Sequence, residues 1–100
     1  MDPLDKLFDA LASRPRREIL GFLSDTPLTT SELADRLAVS APAISRHLSV
    51  LENAGLVTGE RDGRRVLYRL NHDYLVEMLA RFSGEIAAVP AQQRVPREPI

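Results

Sequence analysis

Cysteine is absent from this 100-residue sequence, and so is tryptophan. Without cysteine the chain forms no disulfide bond and offers no thiolate to a metal ion. Glycine-rich phosphate loops are also missing, and no Ser, His and Asp residues are grouped as nucleophilic catalysis requires. A disulfide-stabilised domain and a cysteine-ligated metal centre are excluded, and we do not expect an enzyme.

Long apolar runs are missing as well. No stretch approaches the roughly 20 consecutive apolar residues that a transmembrane helix needs. The first ten residues, MDPLDKLFDA, lack the basic segment and apolar core of a signal peptide. We therefore expect no membrane association and a cytoplasmic location.

The chain has little net charge, −1 at pH 7, but the charge is unevenly distributed. Residues 40–70 hold five arginines and three carboxylates, whereas the segments on either side are net negative. A DNA-binding surface needs positive charge in one place rather than over the whole chain. The middle of the chain is the candidate for such a surface, and binding there should depend strongly on salt.

Residues 40–55, SAPAISRHLSVLENAG, form what we call the central helix. Ser40 can cap its start, and Gly55 suits the left-handed residue that follows a helix end. Ile44, Leu48 and Leu51 recur on one face at helical spacing and should meet a core. The opposite face carries short polar groups and one arginine, which suits a phosphate-lined groove. The residues predicted to contact DNA are Ser40, Pro42, Ser45, Arg46, His47 and Ser49.

Two of these residues have open roles. Arg46 either pairs with a guanine edge or holds a phosphate. His47 leans toward the apolar face, so a packed histidine remains an alternative to a DNA contact.

A short helix is predicted directly before the central helix. Thr29 and Glu32 fit a capping box at its start, and it should end near Leu37. The small Ala34 allows it to cross the central helix closely. The two helices together are typical of a helix-turn-helix.

A β-hairpin is predicted after the central helix. Strand-like residues 56–60 and 65–70 flank Asp62-Gly63, a strong signal for a tight turn. Arginines cluster around this turn, where they can reach phosphates or a minor groove. The hairpin therefore has the character of a DNA-contacting wing, and its arginines are Arg61, Arg64 and Arg65.

The remaining helices are predicted at the two ends of the chain. Two helices open it, from Pro3 to Leu11 and from Ser13 to Leu23, and one begins near Asn71. The fold class is mainly α with a small two-stranded hairpin, a winged helix-turn-helix. One domain should cover residues 1–89, and residues 90–100 should be a disordered tail.

Three segments together resemble the ArsR/SmtB family of bacterial winged-helix repressors. They read FDALASRPRREIL, LADRLAVSAPAISRHLSVLENAGLV and RDGRRVLYRLN, and the resemblance covers about residues 7–72. It implies a homodimer that binds double-stranded DNA at a palindromic operator and blocks transcription. It also implies that the first and last helices form the dimer interface.

The apolar stripes of those two helices agree with a dimer, because together they exceed what one small subunit covers comfortably. The predicted interface residues are Leu4, Leu7, Phe8, Leu75, Met78, Leu79, Phe82 and Ile86.

The sequence departs from the metal-sensing members of the family. The third helix has no cysteine, and the last helix has His72, Asp73, Glu77 and Glu85 but no second histidine. We therefore predict no metal site and no cofactor, as in metal-independent autorepressors of the family, with the inducer or partner protein unknown. Two alternatives are a metal- or ligand-responsive sensor and a winged-helix module for protein–protein contact.

Arg14, Arg16 and Arg17 open the second helix, where positive charge opposes the helix dipole. Phosphate contact and salt bridges to Asp9 or Glu18 are equally good explanations.

Overall fold

The computed structural model describes residues 1–90 and has five helices and a small antiparallel sheet within that range. The predicted disordered tail lies outside the described residues, apart from Pro90. No helix of residues 1–90 is long and apolar enough to span a membrane. The elements in chain order are α1 (Pro3–Leu11), α2 (Arg14–Asp25), β1 (Leu28–Thr29), α3 (Thr30–Leu37), α4 (Ala41–Asn53), β2 (Val57–Asp62), β3 (Arg65–Leu70) and α5 (His72–Ala87).

Side-chain caps fix the starts of four helices. The Ser40 hydroxyl accepts a hydrogen bond from the Ala43 N–H at 3.3 Å, which confirms the predicted start of α4. At α3 the capping box is complete, because Thr29 and Glu32 each accept a backbone N–H bond from the other. The Thr29 N–H and the Thr29 hydroxyl both donate to the Glu32 carboxylate, and these two bonds hold the pKa of that carboxyl below its usual range. Asp2 and Ser13 cap α1 and α2 in the same way.

A left-handed glycine ends the central helix α4. Gly55 has φ +80°, and its N–H donates to the Glu52 carbonyl at 2.9 Å. The Leu56 N–H donates to the Leu51 carbonyl at 2.9 Å, which completes a Schellman motif. The predicted role of Gly55 is confirmed.

An alanine occupies the equivalent left-handed position after α3. Ala38 has φ 56° and ψ 41°, and the Val39 N–H donates to the Ala34 carbonyl at 3.2 Å. Its Cβ makes this backbone conformation unfavourable.

Ala38→Gly is therefore expected to raise the free energy of unfolding by about 0.5–1 kcal/mol, measured by urea denaturation. Ala12→Gly is the matched control, because Ala12 follows α1 in a right-handed conformation. It should lower stability by about 0.5–1 kcal/mol, since glycine there only adds freedom to the unfolded chain. Equal effects of the two substitutions would contradict this account of Ala38.

The sheet has three strands in the order β1-β3-β2, so the predicted two-stranded hairpin is incomplete. Leu28 pairs with Tyr68, and Thr29 pairs with Leu67, which joins the start of α3 to the hairpin. The first hairpin strand also runs two residues further than predicted, to Asp62. The turn is therefore the two residues Gly63 and Arg64. The φ of Gly63 is +66°, as a type II′ turn requires at this position.

One core joins all five helices to the base of the hairpin. Ile44, Leu48 and Leu51 of α4 are buried as predicted. Phe22 of α2 is 36% exposed, and the Arg36 guanidinium lies 6.0 Å from its ring centre.

The predicted interface residues differ in how far they are buried. Leu4, Leu7 and Met78 are buried in the core of their own subunit and offer little surface to a partner. Leu75 is partly buried against the same core. The exposed group forms what we call the apolar face, and it consists of Phe8, Leu79, Phe82 and Ile86.

Candidate nucleic-acid interface

The helix-turn-helix consists of α3 and α4. Ala34 is 9% exposed and Ile44 is fully buried, so small and branched apolar side chains fill the space on the inner sides of the two helices. Burial of this side fixes the rotation of α4 about its axis, and the opposite side is left in solvent.

The outer side of α4 carries the polar residues that the sequence predicted. Ser45, Arg46 and Ser49 are all exposed, as are Ser40 and Pro42 near the helix start. Within residues 1–90, the side chain of Arg46 forms no hydrogen bond or ion pair. Its guanidinium keeps all five N–H donors available for a base edge or a phosphate.

A groove of about 400 Å³ lies between the start of α3, the side of α4 and the hairpin. Thr30 and Ser31 line it from the first turn of α3, Ser45 from α4, and Arg64 and Arg65 from the hairpin. The backbone N–H groups and dipole of a helix N-terminus favour an anion, and so do two guanidinium groups. The groove is therefore suited to a phosphate backbone.

The three hairpin arginines do not share one face. Arg61 pairs with Val66 across the strands and Arg65 pairs with Asp62, so Arg61 and Arg65 point to opposite faces of the hairpin. Arg64 lies between them in the turn itself. Arg61 does not line the groove, and the sequence alone did not predict this division.

The ion pairs of the hairpin are exposed and weak. Arg65 Nη2 lies 3.9 Å from Asp62 Oδ2, and both side chains are more than 60% exposed. Such a pair contributes little to stability, so a phosphate can replace Asp62 at small cost.

Two of the arginines at the start of α2 bind the end of α1. Arg16 Nε donates to the Ala10 carbonyl at 2.8 Å, and its Nη2 donates to the Asp9 carbonyl at 3.0 Å. Arg17 Nη1 donates to the Leu11 carbonyl at 2.6 Å. These bonds satisfy carbonyls that a helix end leaves unpaired, and they place positive charge at the negative end of the α1 dipole.

The sequence suggested phosphate contact or salt bridges for these arginines, and it did not suggest bonds to backbone carbonyls. The predicted salt bridge is present only between Arg14 and Glu18, at 3.7 Å, and it is largely exposed.

His47 is half-buried on α4. Burial lowers the pKa of its imidazole, and the nearby charges of Arg16 and Arg46 lower this pKa further. The structure therefore favours a neutral, partly packed histidine and leaves part of the ring accessible.

Acidification should destabilise the protein through His47. The unfolded chain takes up a proton at the ordinary histidine pKa, whereas the folded chain takes it up only at a lower pH. The free energy of unfolding therefore falls as the pH drops through the ordinary value toward the folded one. Urea unfolding at about pH 7.5 and about pH 5.5 should show a smaller fall in His47→Gln than in the wild type. An identical fall in both proteins would contradict this prediction.

The metal-ligand candidates of the last helix do not come together. His72 Nδ1 lies 3.3 Å from Asp73 Oδ1, and both side chains are largely exposed. Across the part of the chain that the structure describes, no three His, Cys, Asp or Glu side chains are grouped to hold a metal ion.

The contribution of Thr30 and Ser31 to the groove has no signal in the sequence. Their place follows from the pairing of β1 with β3, which joins residues about 40 positions apart. A capping box marks a helix start but gives no sign of what that start faces.

Comparisons with known proteins agree with this architecture. Residues 14–58 match the family model described as bacterial regulatory protein, arsR family. Over 79 residues the chain is 42% identical to the HTH-type transcriptional repressor SmtB of Mycobacterium tuberculosis. The matched segment covers 79% of this chain and 58% of that protein. The chain is 30% identical over 76 residues to the transcriptional repressor SdpR of Bacillus subtilis, covering 76% of this chain and 84% of that protein.

Two solved structures show the same fold. An ArsR-like transcriptional regulator from Rhodococcus sp. RHA1 is 38% identical, with a TM-score of 0.77 over 86% of this chain and 78% of that one. A homodimeric winged helix-turn-helix domain from Mycobacterium bovis has a TM-score of 0.72 over 96% of this chain and 89% of that one, at 22% identity. The fold, the family model and the sequence relatives lead to one conclusion: the chain belongs to the ArsR/SmtB family of winged helix-turn-helix regulators.

Proposed function

We propose that this protein is a transcriptional repressor that binds a palindromic DNA operator as a homodimer. The observation that carries the proposal is the groove, where the first turn of α3, Ser45 and two arginines converge beside the exposed side of α4. One stretch of DNA backbone can contact all three elements while α4 enters the adjacent major groove. The related SmtB and SdpR proteins are themselves named as repressors.

The proposed contacts divide by type. The residues that enter the major groove and reach base edges or its walls are Pro42, Ser45, Arg46 and Ser49. Ser40 and His47 lie beside them on α4. Arg64 and Arg65 hold phosphates together with the start of α3, and Arg61 contacts DNA backbone beyond the groove. With only about four side chains at the bases, one subunit alone has low sequence specificity.

The proposed dimer forms through the apolar face on α1 and α5. The four residues of that face are between 36% and 54% exposed, which is unusual for large apolar side chains on adjoining helices. The related domain from Mycobacterium bovis is described as homodimeric. Two-fold symmetry would place two α4 helices about 34–36 Å apart, on successive turns of DNA.

We further propose that the protein represses in the cytoplasm without a resident metal. Asp73 Oδ1 lies 3.3 Å from His72 Nδ1, and α3 offers Glu32 and Asp35 rather than thiols. Glu32 is already engaged in the capping box. Zinc prefers four nitrogen, sulfur or oxygen donors in a tetrahedron, which this set does not supply within one subunit.

The decisive experiment is an electrophoretic mobility shift with DNA from upstream of the protein's own gene, followed by footprinting. We expect a salt-sensitive complex and a two-fold symmetric footprint, unchanged by zinc. Absence of a salt-sensitive complex would instead support a protein–protein contact module. Release of the DNA by stoichiometric zinc would support a metal sensor.

Arg46→Ala tests how α4 contributes to specificity. If Arg46 reads a base, its loss should weaken operator binding by about 1–3 kcal/mol and leave binding to random DNA nearly unchanged. Fluorescence anisotropy with the footprinted operator and a scrambled duplex measures both affinities. An equal loss on the two duplexes would show that Arg46 contacts only phosphate.

A further inference from the structure

The side chain of Asn71 joins three elements at the base of the hairpin. Its Nδ2 donates to the Gly55 carbonyl at 2.8 Å, and its Oδ1 accepts a hydrogen bond from the Thr58 hydroxyl at 3.0 Å. Its backbone N–H donates to the Leu56 carbonyl at 2.9 Å. The end of α4, the start of β2 and the start of α5 therefore meet at one residue.

Asn71 forms these bonds in place of a local one. It is the N-cap residue of α5, where an asparagine side chain ordinarily accepts a bond from the first turn. No such side-chain bond forms at this helix, although Asp2, Ser13, Thr29 and Ser40 all cap theirs. Because its side chain bonds to Gly55 and Thr58 and leaves the first turn of α5 uncapped, we infer that these long-range bonds matter more to the protein than the cap does.

Tyr74 makes a second contact at the same joint. Its ring packs so closely on Gly55 that a Cβ at that position would lie 3.0 Å from Cε2 of the ring. The first turn of α5 thus contacts the α4–β2 connection through a ring and an amide. The φ of +80° at Gly55 makes that connection a sharp change of chain direction.

A small rotation of the hairpin at its base moves the arginines of the turn by a large distance. Arg64 lies at the far end of β2, roughly 20 Å from Val57, because six strand residues rise about 3.3 Å each. A rotation of about 10° at the base would move the turn by about 3.5 Å, more than a hydrogen bond tolerates. β1 holds the middle of β3, whereas Asn71 holds the base of β2.

We propose that Asn71 is a positioning residue for DNA binding. It fixes the angle between the hairpin and α4, so that Arg64 and Ser45 reach the same duplex, and it ties that angle to α5. The proposal rests on the proposed function, because it assigns Asn71 no contact with DNA itself. The orientation of the hairpin relative to α4 is what Asn71 contributes.

The first test measures the angle without DNA. The chain has no cysteine, so Ser49→Cys and Arg64→Cys place two spin labels on α4 and the turn without background labelling. An excess of unlabelled protein limits each dimer to one labelled subunit. Electron–electron double resonance should give one narrow distance distribution in the otherwise wild-type protein and a broad or shifted one with Asn71→Ala.

Two further variants control this measurement. Thr58→Val removes one hydroxyl donor, keeps the side-chain shape and suits a strand, so it tests the joint even if Asn71→Ala does not fold. Thr58→Val should broaden or shift the distance distribution as Asn71→Ala does. Asn53→Ala removes an exposed amide from the end of α4 and should leave the distribution narrow. A narrow, unshifted distribution in both joint variants would overturn the proposal.

The second test uses unlabelled protein and a duplex from the upstream region of its gene. Arg64→Ala should weaken binding about fivefold in the wild-type background and less than about twofold with Asn71→Ala, since a misplaced arginine contributes little. A general loss of stability would leave the fivefold effect intact, so retention of that effect would overturn the proposal. If the wild type binds no duplex, the proposed function fails, and the distance distributions alone decide whether Asn71 fixes the hairpin.

Discussion

Phe82→Glu is expected to leave the protein monomeric and to weaken operator binding by about 100-fold or more, because two linked half-sites bind far more tightly than one. Phe82 lies on the apolar face and meets the Phe8 ring edge-on, with the ring centres 4.9 Å apart. A carboxylate there would be buried against apolar side chains of the partner without a counter-charge. Analytical ultracentrifugation and fluorescence anisotropy measure the two effects.

Ala80→Glu is the matched control for this experiment. It adds the same charge to an exposed position of the same helix, about 160° from Phe82 around the axis. We expect it to remain dimeric and to bind the operator normally. A dimeric Phe82→Glu protein with full operator affinity would show that the apolar face has another purpose.

Replacing Arg64 and Arg65 together with alanine should weaken binding about 10- to 100-fold at low salt, equally for the operator and for random DNA, because both contact backbone. Loss of two phosphate contacts should also make the slope of log affinity against log salt less negative by about 1.8. Arg81→Ala is a control that removes one positive charge away from the groove, since Arg81 lies on α5 and pairs with Glu85 at 3.5 Å, and it should leave the slope unchanged. An unchanged slope in the double variant would contradict the proposed contacts.

Signals within a few residues of one another were sufficient to predict most of the secondary structure. Ser40 and Thr29 mark helix starts through bonds to residues three positions away, and Gly55 ends α4 through bonds within five positions. These interactions are the same in a peptide and in a fold, so sequence alone reveals them. The helix-turn-helix and the hairpin followed from such signals.

Contacts between distant segments explain what the sequence did not show. β1 has only two residues, and its pairing with β3 has no local signature. The stripe that includes Met78 and Phe82 is apolar throughout, so spacing could not tell the residue that faces the subunit core from the one that faces outward. The sequence suggests charged partners for Arg16, whereas its guanidinium donates to two backbone carbonyls.

The strand order β1-β3-β2 has a consequence for the protein at high concentration. It makes β2 an edge strand, with backbone groups that a second molecule could extend into a continuous sheet. Glu60, Arg61 and Asp62 place three exposed charges along the outer half of that edge. Charges on an edge strand oppose this kind of aggregation. The hairpin that we expect to hold DNA therefore also opposes polymerisation of the protein. Apolar substitutions at the exposed positions of β2 should lower solubility more than they lower the free energy of unfolding.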